Sequence, residues 1–523
     1  MLQVGIVGGG IAGLYAALLL KQQGHEVTVF ESNSRLGGRI YTHHFRPLGQ
    51  EESAFFEAGA MRIPLSPLHA CVFEMARYLN DNNPAREKVE FIPYVLQHVN
   101  NKILLQGKIW DAADKTLAAS VGLPERFHNK TAREMLFGVM QPWTDLLNKD
   151  LDHGLTSVLR YDQLTFRQYL RDFAEWPDEV IDFVELVMSQ TSQYDQGFTD
   201  LVLQTMHFAN PDWVTVKGGL TRIVESAAKV LGPACVFRNA PVTEIHELPD
   251  NKLKLVVGGI APLERTFDKV ILALPPVAIQ NIQVRPKWSF VKERAIQAIH
   301  EGPLYKMGLH FRTRFWEHTD SPCFGGQTQT DLRIRWIVYP SNDLGSSNTG
   351  CLMVYSGMTD ALRWSWTPQS QRVRLALEDL NTFFSQQGVD VYSQFIEAFD
   401  VHWPSEVGGG NTMYLPGQYT RFHDVMKQPE GNIYFAGEHI SRHHTWVAGG
   451  IESAHQTVEE LLGGSSLPVL GSTVATSTVP KDLPRRVESQ SSHYSIQDTA
   501  LAAVIMQTSA ALALKPMAIG IMD

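Results

Sequence analysis

The chain has 523 residues, 44% of them hydrophobic and 19% charged, and a formal net charge of −10. That length calls for two or three cores. The composition excludes a disordered chain, and an acidic balance without a Lys/Arg stripe argues against a nucleic-acid partner. Cys71, Cys235, Cys323 and Cys351 form no C-x-x-C pair and match no zinc spacing, so no metal site is expected.

The first forty residues carry the densest signal. Residues 4–7 are an apolar run suited to a buried parallel strand, followed by Gly8, Gly10 and Gly13 in the G-x-G-x-x-G spacing around Ala12. Residues 14–20 read as a Leu/Ala-rich buried helix that Gly24 stops, and residues 27–30 form a second strand ending at Glu31. This is a βαβ dinucleotide-binding unit. Gly8 permits the tight turn, Gly10 lets a pyrophosphate approach the backbone, and Gly13 lets helix and strand pack closely. The free N–H groups and positive dipole end of the helix then face the phosphates. Glu31 is placed to accept hydrogen bonds from both hydroxyls of a ribose without a 2′-phosphate. The triplet alone does not separate FAD from NAD.

The continuation Arg35-Leu36-Gly37-Gly38-Arg39 does separate them, because here the sequence resembles the FAD-dependent amine oxidase family. The resemblance implies that Arg39 reaches the FAD phosphates and flavin region. Residues 55–64, F-F-E-A-G-A-M-R-I-P, are similar to the L-amino acid oxidase branch of that family. It implies that Gly59, Ala60 and Met61 pass under the flavin with Arg62 beside them, and that Arg62 forms a bidentate pair with the substrate carboxylate. A planar guanidinium matches a carboxylate in shape and charge, which would fix Cα relative to the flavin.

Residues 68–79 have helical spacing, and residues 88–109 read as short strands around polar turns. Residues 131–208 are mostly helical by period, with breaks expected near Asp152-His153-Gly154 and Trp176-Pro177, and with Asp162 or Thr165 as a cap. His207 and Asn210 near the exit receive no role. Residues 214–223 return to the cofactor domain, and a helix follows to Leu231. A strand over 236–247 contains Val242, which by the resemblance touches adenine through its backbone, although a plain core strand reads equally well. Residues 253–257 and 267–273 are expected to complete a β-meander. In the strand 305–311, the resemblance gives Lys306 the catalytic role of holding a water against flavin N5. It gives Tyr355, in a strand over 350–356, a hydrogen bond to the substrate carboxylate. Residues 369–387 read as an amphipathic helix.

Residues 431–454 supply the third family motif, a strand, Gly437-Glu438, and then W-x-x-G-G-x-x-S-A. The resemblance implies Glu438 on the ribitol or phosphate region. It places the helix start at Val447, Ala448, Gly449 and Gly450 against the flavin, and Thr445 and Trp446 facing the substrate. Thr445 and Ala448 depart from the commonest family pattern. No cysteine lies in residues 403–419, so FAD is expected to be non-covalent. From Gly464 the Ser/Thr/Pro-rich composition reads as a disordered linker. The apolar run 499–514 is short for a membrane anchor and reads as an amphipathic or docking segment.

The expectation is an α/β chain with an α+β substrate part: a three-segment Rossmann-like FAD-binding domain (1–66, 211–285, 421–463), a mixed-sheet substrate domain with a helical subdomain (67–210, 286–420), and a tail (464–523). The activity expected is oxidative deamination of an L-amino acid with an apolar or aromatic side chain. Hydride transfer from Cα to flavin N5 would give a 2-oxo acid, ammonia and hydrogen peroxide. The rivals are an oxidase of primary or secondary amines or of a specialised metabolite, an NADPH-using monooxygenase, which lacks the second G-x-G-x-x-G it needs here, and a flavin-binding scaffold without turnover. The partners expected are the small substrate and oxygen. The chain start shows no secretory signal, so a cytoplasmic location without membrane attachment is expected; a homodimer is left open.

Overall fold

The strand Gln3–Val7 is the centre of a five-stranded sheet in the computed structural model of the protein, which describes residues 1–47, 54–84, 88–210, 212–258, 262–346 and 348–470. Glu26–Phe30 and Val236–Phe237 lie to one side of it, and Lys269–Leu272 and Ile433–Phe435 to the other, all parallel. Near-continuous apolar strands suit such a sheet because helices cover both faces. Ile11–Gln22 is buried over nine consecutive residues. It packs between the last described helix, Val447–Leu461, and Thr221–Leu231. The sheet is thus assembled from three separated stretches of chain, and the molecule has an α/β architecture with mixed sheets and helices.

An antiparallel meander, Val242–Glu247, Leu253–Val257 and Leu263–Phe267, lies over the parallel sheet at Gly5. Residues 269–272, expected in that meander, belong instead to the parallel sheet, because Asp268 turns the chain back alongside the first strand. The expected single strand over 236–247 is likewise two strands in different sheets.

A seven-stranded mixed sheet forms the second body, in the order Phe395–His402, Leu304–Phe311, Gly350–Gly357, Trp336–Val338, Gln327–Thr330, Lys102–Leu105, Lys108–Asp111. Leu304–Phe311 is buried on both faces, with Lys306, Gly308 and His310 on the face opposite Tyr305, Met307 and Leu309. Helices between Ala132 and Thr205 form a separate layer. Thr131 and Thr165 each start a helix with a reciprocal capping box, to Glu134 and Gln168. The break expected at Asp152-His153-Gly154 falls earlier, at Asp150, whose side chain caps Leu151–Val158.

A further small sheet is separate from both. Ile63–Pro64 and Phe91–Pro93 both pair antiparallel with Trp213–Val216. The chain stays packed beyond the linker onset expected at Gly464, since Leu470 is fully buried. The rest of the expected linker and the 499–514 segment lie outside the described residues. No helix among the described residues is long and apolar enough to cross a membrane.

Candidate active site

The glycine triplet has the geometry its spacing requires. Gly8 adopts φ +108°, and a Cβ there would lie 2.4 Å from the Ala273 carbonyl oxygen. A Cβ at Gly13 would lie 2.0 Å from the Gly8 oxygen. At Gly10 a Cβ would meet nothing within 4 Å. Two glycines therefore serve packing and one leaves open space. Ala12 is buried in the first helix. The buried Glu31 carboxylate accepts the Gly9 N–H at 2.8 Å and the Asn33 N–H at 2.8 Å. The Ala240 N–H binds the Glu31 carbonyl, which brings Val242, two residues on, to the same end of the sheet.

A second helix start meets the first. A Cβ on Gly450 would be 2.9 Å from Ile11 Cγ2. Neither helix has an acidic residue in its first turn or a side-chain cap, so both N-termini keep free donors and positive dipole ends for an acceptor-rich ligand. Val447, Ala448, Gly449 and Gly450 are all buried in that turn. Between the two starts, Arg39 donates to Glu438 at 2.7 Å, with Glu301 3.8 Å away. Glu438 also accepts the backbone N–H groups of Thr412 at 2.9 Å and Thr445 at 2.7 Å. Burial is the largest single influence and opposes its charge, but Arg39, the Thr445 N–H and the nearby His444 and His439 together outweigh it and hold the carboxyl below its usual range. Glu301, also buried and beside Glu438, is pushed the other way.

Residues 57–61 run beneath this junction. A Cβ on Gly59 would sit 2.1 Å from the Arg39 carbonyl oxygen, and the Ala60 N–H donates to that same oxygen. Lys306 Nζ donates to the carbonyls of Gly59 at 2.6 Å and Glu57 at 3.3 Å. Burial first, and then the nearby Arg62 charge, lower its pKa to about 7 against the pull of Glu57. Burial raises Glu57 to about 7, although Leu220 N–H and Thr42 Oγ1 donate to its carboxylate.

Beyond Met61 lies an aromatic chamber. Arg62 immediately precedes Ile63–Pro64, and the small sheet sets it between Trp213 and Tyr94, whose N–H donates to the Trp213 carbonyl. Its guanidinium lies 5.9 Å from the Tyr94 ring, 5.5 Å from Phe208 and 5.6 Å from Trp213. Arg62 Nη1 is buried and has no hydrogen-bond acceptor among the described residues. Tyr355 stands directly opposite Lys306 in the strand register, its ring 5.0 Å from Nζ. Burial raises its pKa, with Arg62 pulling the other way. Trp446 packs on Phe208 at 5.7 Å, Trp213 at 5.8 Å, His207 at 5.1 Å and His69 at 5.2 Å. Thr445 holds φ +74°, a rare conformation for a β-branched residue. Arg62, Lys306, Tyr355 and Trp446 thus converge on one region.

Tyr94, Phe208 and Trp213 were not singled out by the sequence reading. No motif marks them; the small sheet brings Tyr94 and Trp213 together, and the turn Met206–Ala209 adds Phe208. His207, left without a role, is buried with its Nδ1 2.9 Å from His69 Nε2.

Two helix N-termini, an open Gly10, a glycine-floored segment and a guanidinium nitrogen with no acceptor among the described residues, in an aromatic chamber, fit an FAD and an adjoining small substrate. The molecule is an FAD-dependent oxidoreductase. The chain belongs to the flavin containing amine oxidoreductase family, whose profile matches residues 11–462. It is 28% identical over 504 residues to a Dictyostelium discoideum protein provisionally named a bifunctional amine oxidase, covering 88% of this chain but only 46% of that relative. It is 26% identical to L-amino-acid oxidase 4 of Hebeloma cylindrosporum (88% and 82% covered) and 26% identical to an L-amino-acid oxidase of Siganus canaliculatus (86% and 83%). The fold is similar to that of a cyclohexylamine oxidase from Brevibacterium oxydans, with TM-score 0.68, 18% identity, and 88% and 98% coverage.

Proposed function

We propose that the protein deaminates L-amino acids, taking an amino acid, oxygen and water to a 2-oxo acid, ammonia and hydrogen peroxide. One observation carries the reading: a buried Arg62 nitrogen with no acceptor among the described residues, in a chamber lined by aromatic rings. A buried cation without a protein partner is costly, and a substrate carboxylate would remove that cost by a charge-assisted, bidentate pair. The relatives named as L-amino-acid oxidases support the same substrate class.

FAD, held non-covalently, supplies the two-electron oxidation and the reaction with oxygen. The chain supplies position. Arg62 and Tyr355 orient the carboxylate, which fixes the Cα–H direction. Phe208, Trp213 and Trp446 exclude water and accept an apolar or aromatic side-chain stem. Lys306, with its lowered pKa, is able to hold or release a proton near neutral pH beside the residue 57–61 floor. Arg39, Gly10 and the two helix starts hold the pyrophosphate and flavin end.

Peroxide release from the purified flavoprotein, screened across amino acids and their decarboxylated amines, tests this. Arg62→Met should lower kcat/KM on amino acids by about 100-fold with a smaller effect on amines. Turnover of amines alone by the wild type would overturn it.

A further inference from the structure

Two buried carboxyls face one guanidinium at the junction of the helix starts. Glu438 takes the short contact to Arg39, at 2.7 Å. Glu301 has the long one, Oε2 to Nη1 at 3.8 Å, and its side chain is only 7% exposed. That oxygen is buried and has no hydrogen-bond partner among the described residues. The chain fixes it there. Glu301–Gly302 pairs antiparallel with Asn411–Thr412, and a Cβ on Gly409 would lie 2.6 Å from Glu301 Cβ. Thr412 holds both acids, its N–H donating to Glu438 at 2.9 Å and its hydroxyl to Glu301 Oε1 at 3.4 Å. The other titratable groups of the cluster are Tyr414, whose hydroxyl donates to the His439 carbonyl, and His439 and His444, which act on Glu438. Arg39 is itself tied to the first helix start. The Gly37 N–H donates to the Gly9 carbonyl at 2.9 Å, and a Cβ on Gly38 would lie 3.6 Å from Gly10 Cα.

One guanidinium does not neutralise two buried carboxylates. Glu438, with Arg39 and two N–H donors, is the one that stays ionised. The second acid keeps its proton: burial, with the Glu438 charge adding to it, raises Glu301 to about 8 against Arg39 and the Thr412 hydroxyl. A neutral carboxyl has one O–H to donate. Oε1 already accepts from Thr412, so the proton lies on Oε2, which has no acceptor among the described residues. A buried donor without an acceptor is costly, and a pyrophosphate offers acceptors only. We infer that Glu301 is a neutral hydrogen-bond donor to the FAD pyrophosphate, standing beside the cation Arg39. This rests on the reading of Gly10, Arg39 and the two helix starts as the pyrophosphate cradle. Loss of the proton would set a carboxylate against the phosphates, so alkaline pH would loosen FAD.

The test measures free FAD by fluorescence over graded dilutions of the full-length flavoprotein, which gives Kd, between about pH 6 and pH 9.5. Wild-type Kd should be flat below pH 7 and rise about tenfold from pH 7 to pH 9. Glu301→Gln keeps an N–H donor and does not ionise, so its Kd at pH 7 should match the wild type within about threefold and lose the alkaline rise. Glu301→Leu removes the donor and should weaken binding at pH 7 by about tenfold, again without the rise. Should both variants fail to fold, the wild type still decides. FAD dissociation at pH 9 should release about one proton per flavin, read with an indicator dye in weak buffer, and none at pH 6.5. A flat wild-type profile, the same alkaline rise in Glu301→Gln, an unchanged Kd in Glu301→Leu, or no proton release at pH 9 would overturn the inference. If Gly10→Ala weakens FAD binding and Glu301→Leu does not, Glu301 loses this role and the cradle stands. If Gly10→Ala also leaves Kd unchanged, both readings fall.

Discussion

Arg39 and Glu438, 399 residues apart in the chain, meet at 2.7 Å. The same carboxylate accepts the N–H of Thr412 and of Thr445, so one acid ties together the stretch after the first βαβ unit, the strand Asn411–Thr412, and the turn before the helix Val447–Leu461. Glu438→Gln leaves Arg39 without its anion. Breaking a buried pair from one side costs about 3 kcal/mol. Denaturant unfolding should show that loss, and the 450 nm absorbance per protein should fall with it. An unchanged midpoint would mean that Glu301 replaces Glu438 as the partner.

Gly13 and Gly10 separate folding from cofactor retention. Gly13→Ala drives a methyl into the Gly8 oxygen and should lower apoprotein stability by about 3 kcal/mol or abolish soluble expression. Gly10→Ala meets no protein atom within 4 Å. It should leave the apoprotein melting temperature unchanged while FAD binding weakens by about tenfold or more. A colourless Gly13 variant of normal stability would contradict this division.

Lys306 gives stability a pH dependence of known sign. Its folded pKa of about 7 lies below the ordinary lysine value of 10.5, so between these values the unfolded chain binds more protons and wild-type stability rises with pH. Lys306→Met removes this contribution. The melting temperature of the variant minus that of the wild type should be smallest near pH 10, grow as pH falls toward 7, and level off below. A difference independent of pH would show Lys306 charged in both states.

Thr445 stores backbone strain at φ +74°. Thr445→Gly should stabilise the apoprotein by about 1 kcal/mol, because the N–H bond to Glu438 survives the change. A lower melting temperature would mean that the Thr445 side chain contributes more than the strain removes.

The glycine-bounded backbone of the candidate site is legible in the sequence, and the aromatic chamber beside it only in part. Short-range constraints wrote the first: Gly8, Gly13 and Gly59 each face a backbone atom at a distance no Cβ tolerates, and such a requirement shows as a fixed residue at a fixed spacing. Arg62 was found because it sits inside a motif of that kind. Tyr94 and Trp213 reach Arg62 through antiparallel pairing of strands well over a hundred residues apart in sequence, Phe208 through the helical turn Met206–Ala209 that precedes the last of them, and any large ring would serve, so no local pattern marks them. Residues 269–272 were misassigned for a related reason: an apolar run of four does not say which of two neighbouring sheets will take it.

The interleaving of three chain stretches in one parallel sheet also governs biosynthesis. The edge strand Ile433–Phe435 and the helix Val447–Leu461 are needed to complete the proposed nucleotide cradle begun at Gly8. Most of the polypeptide must therefore leave the ribosome before a prosthetic group has anything to grip. The nascent chain has to shelter its Leu/Ala-rich first helix until its covering partner arrives. A truncation ahead of that partner would yield an aggregating fragment rather than a smaller enzyme.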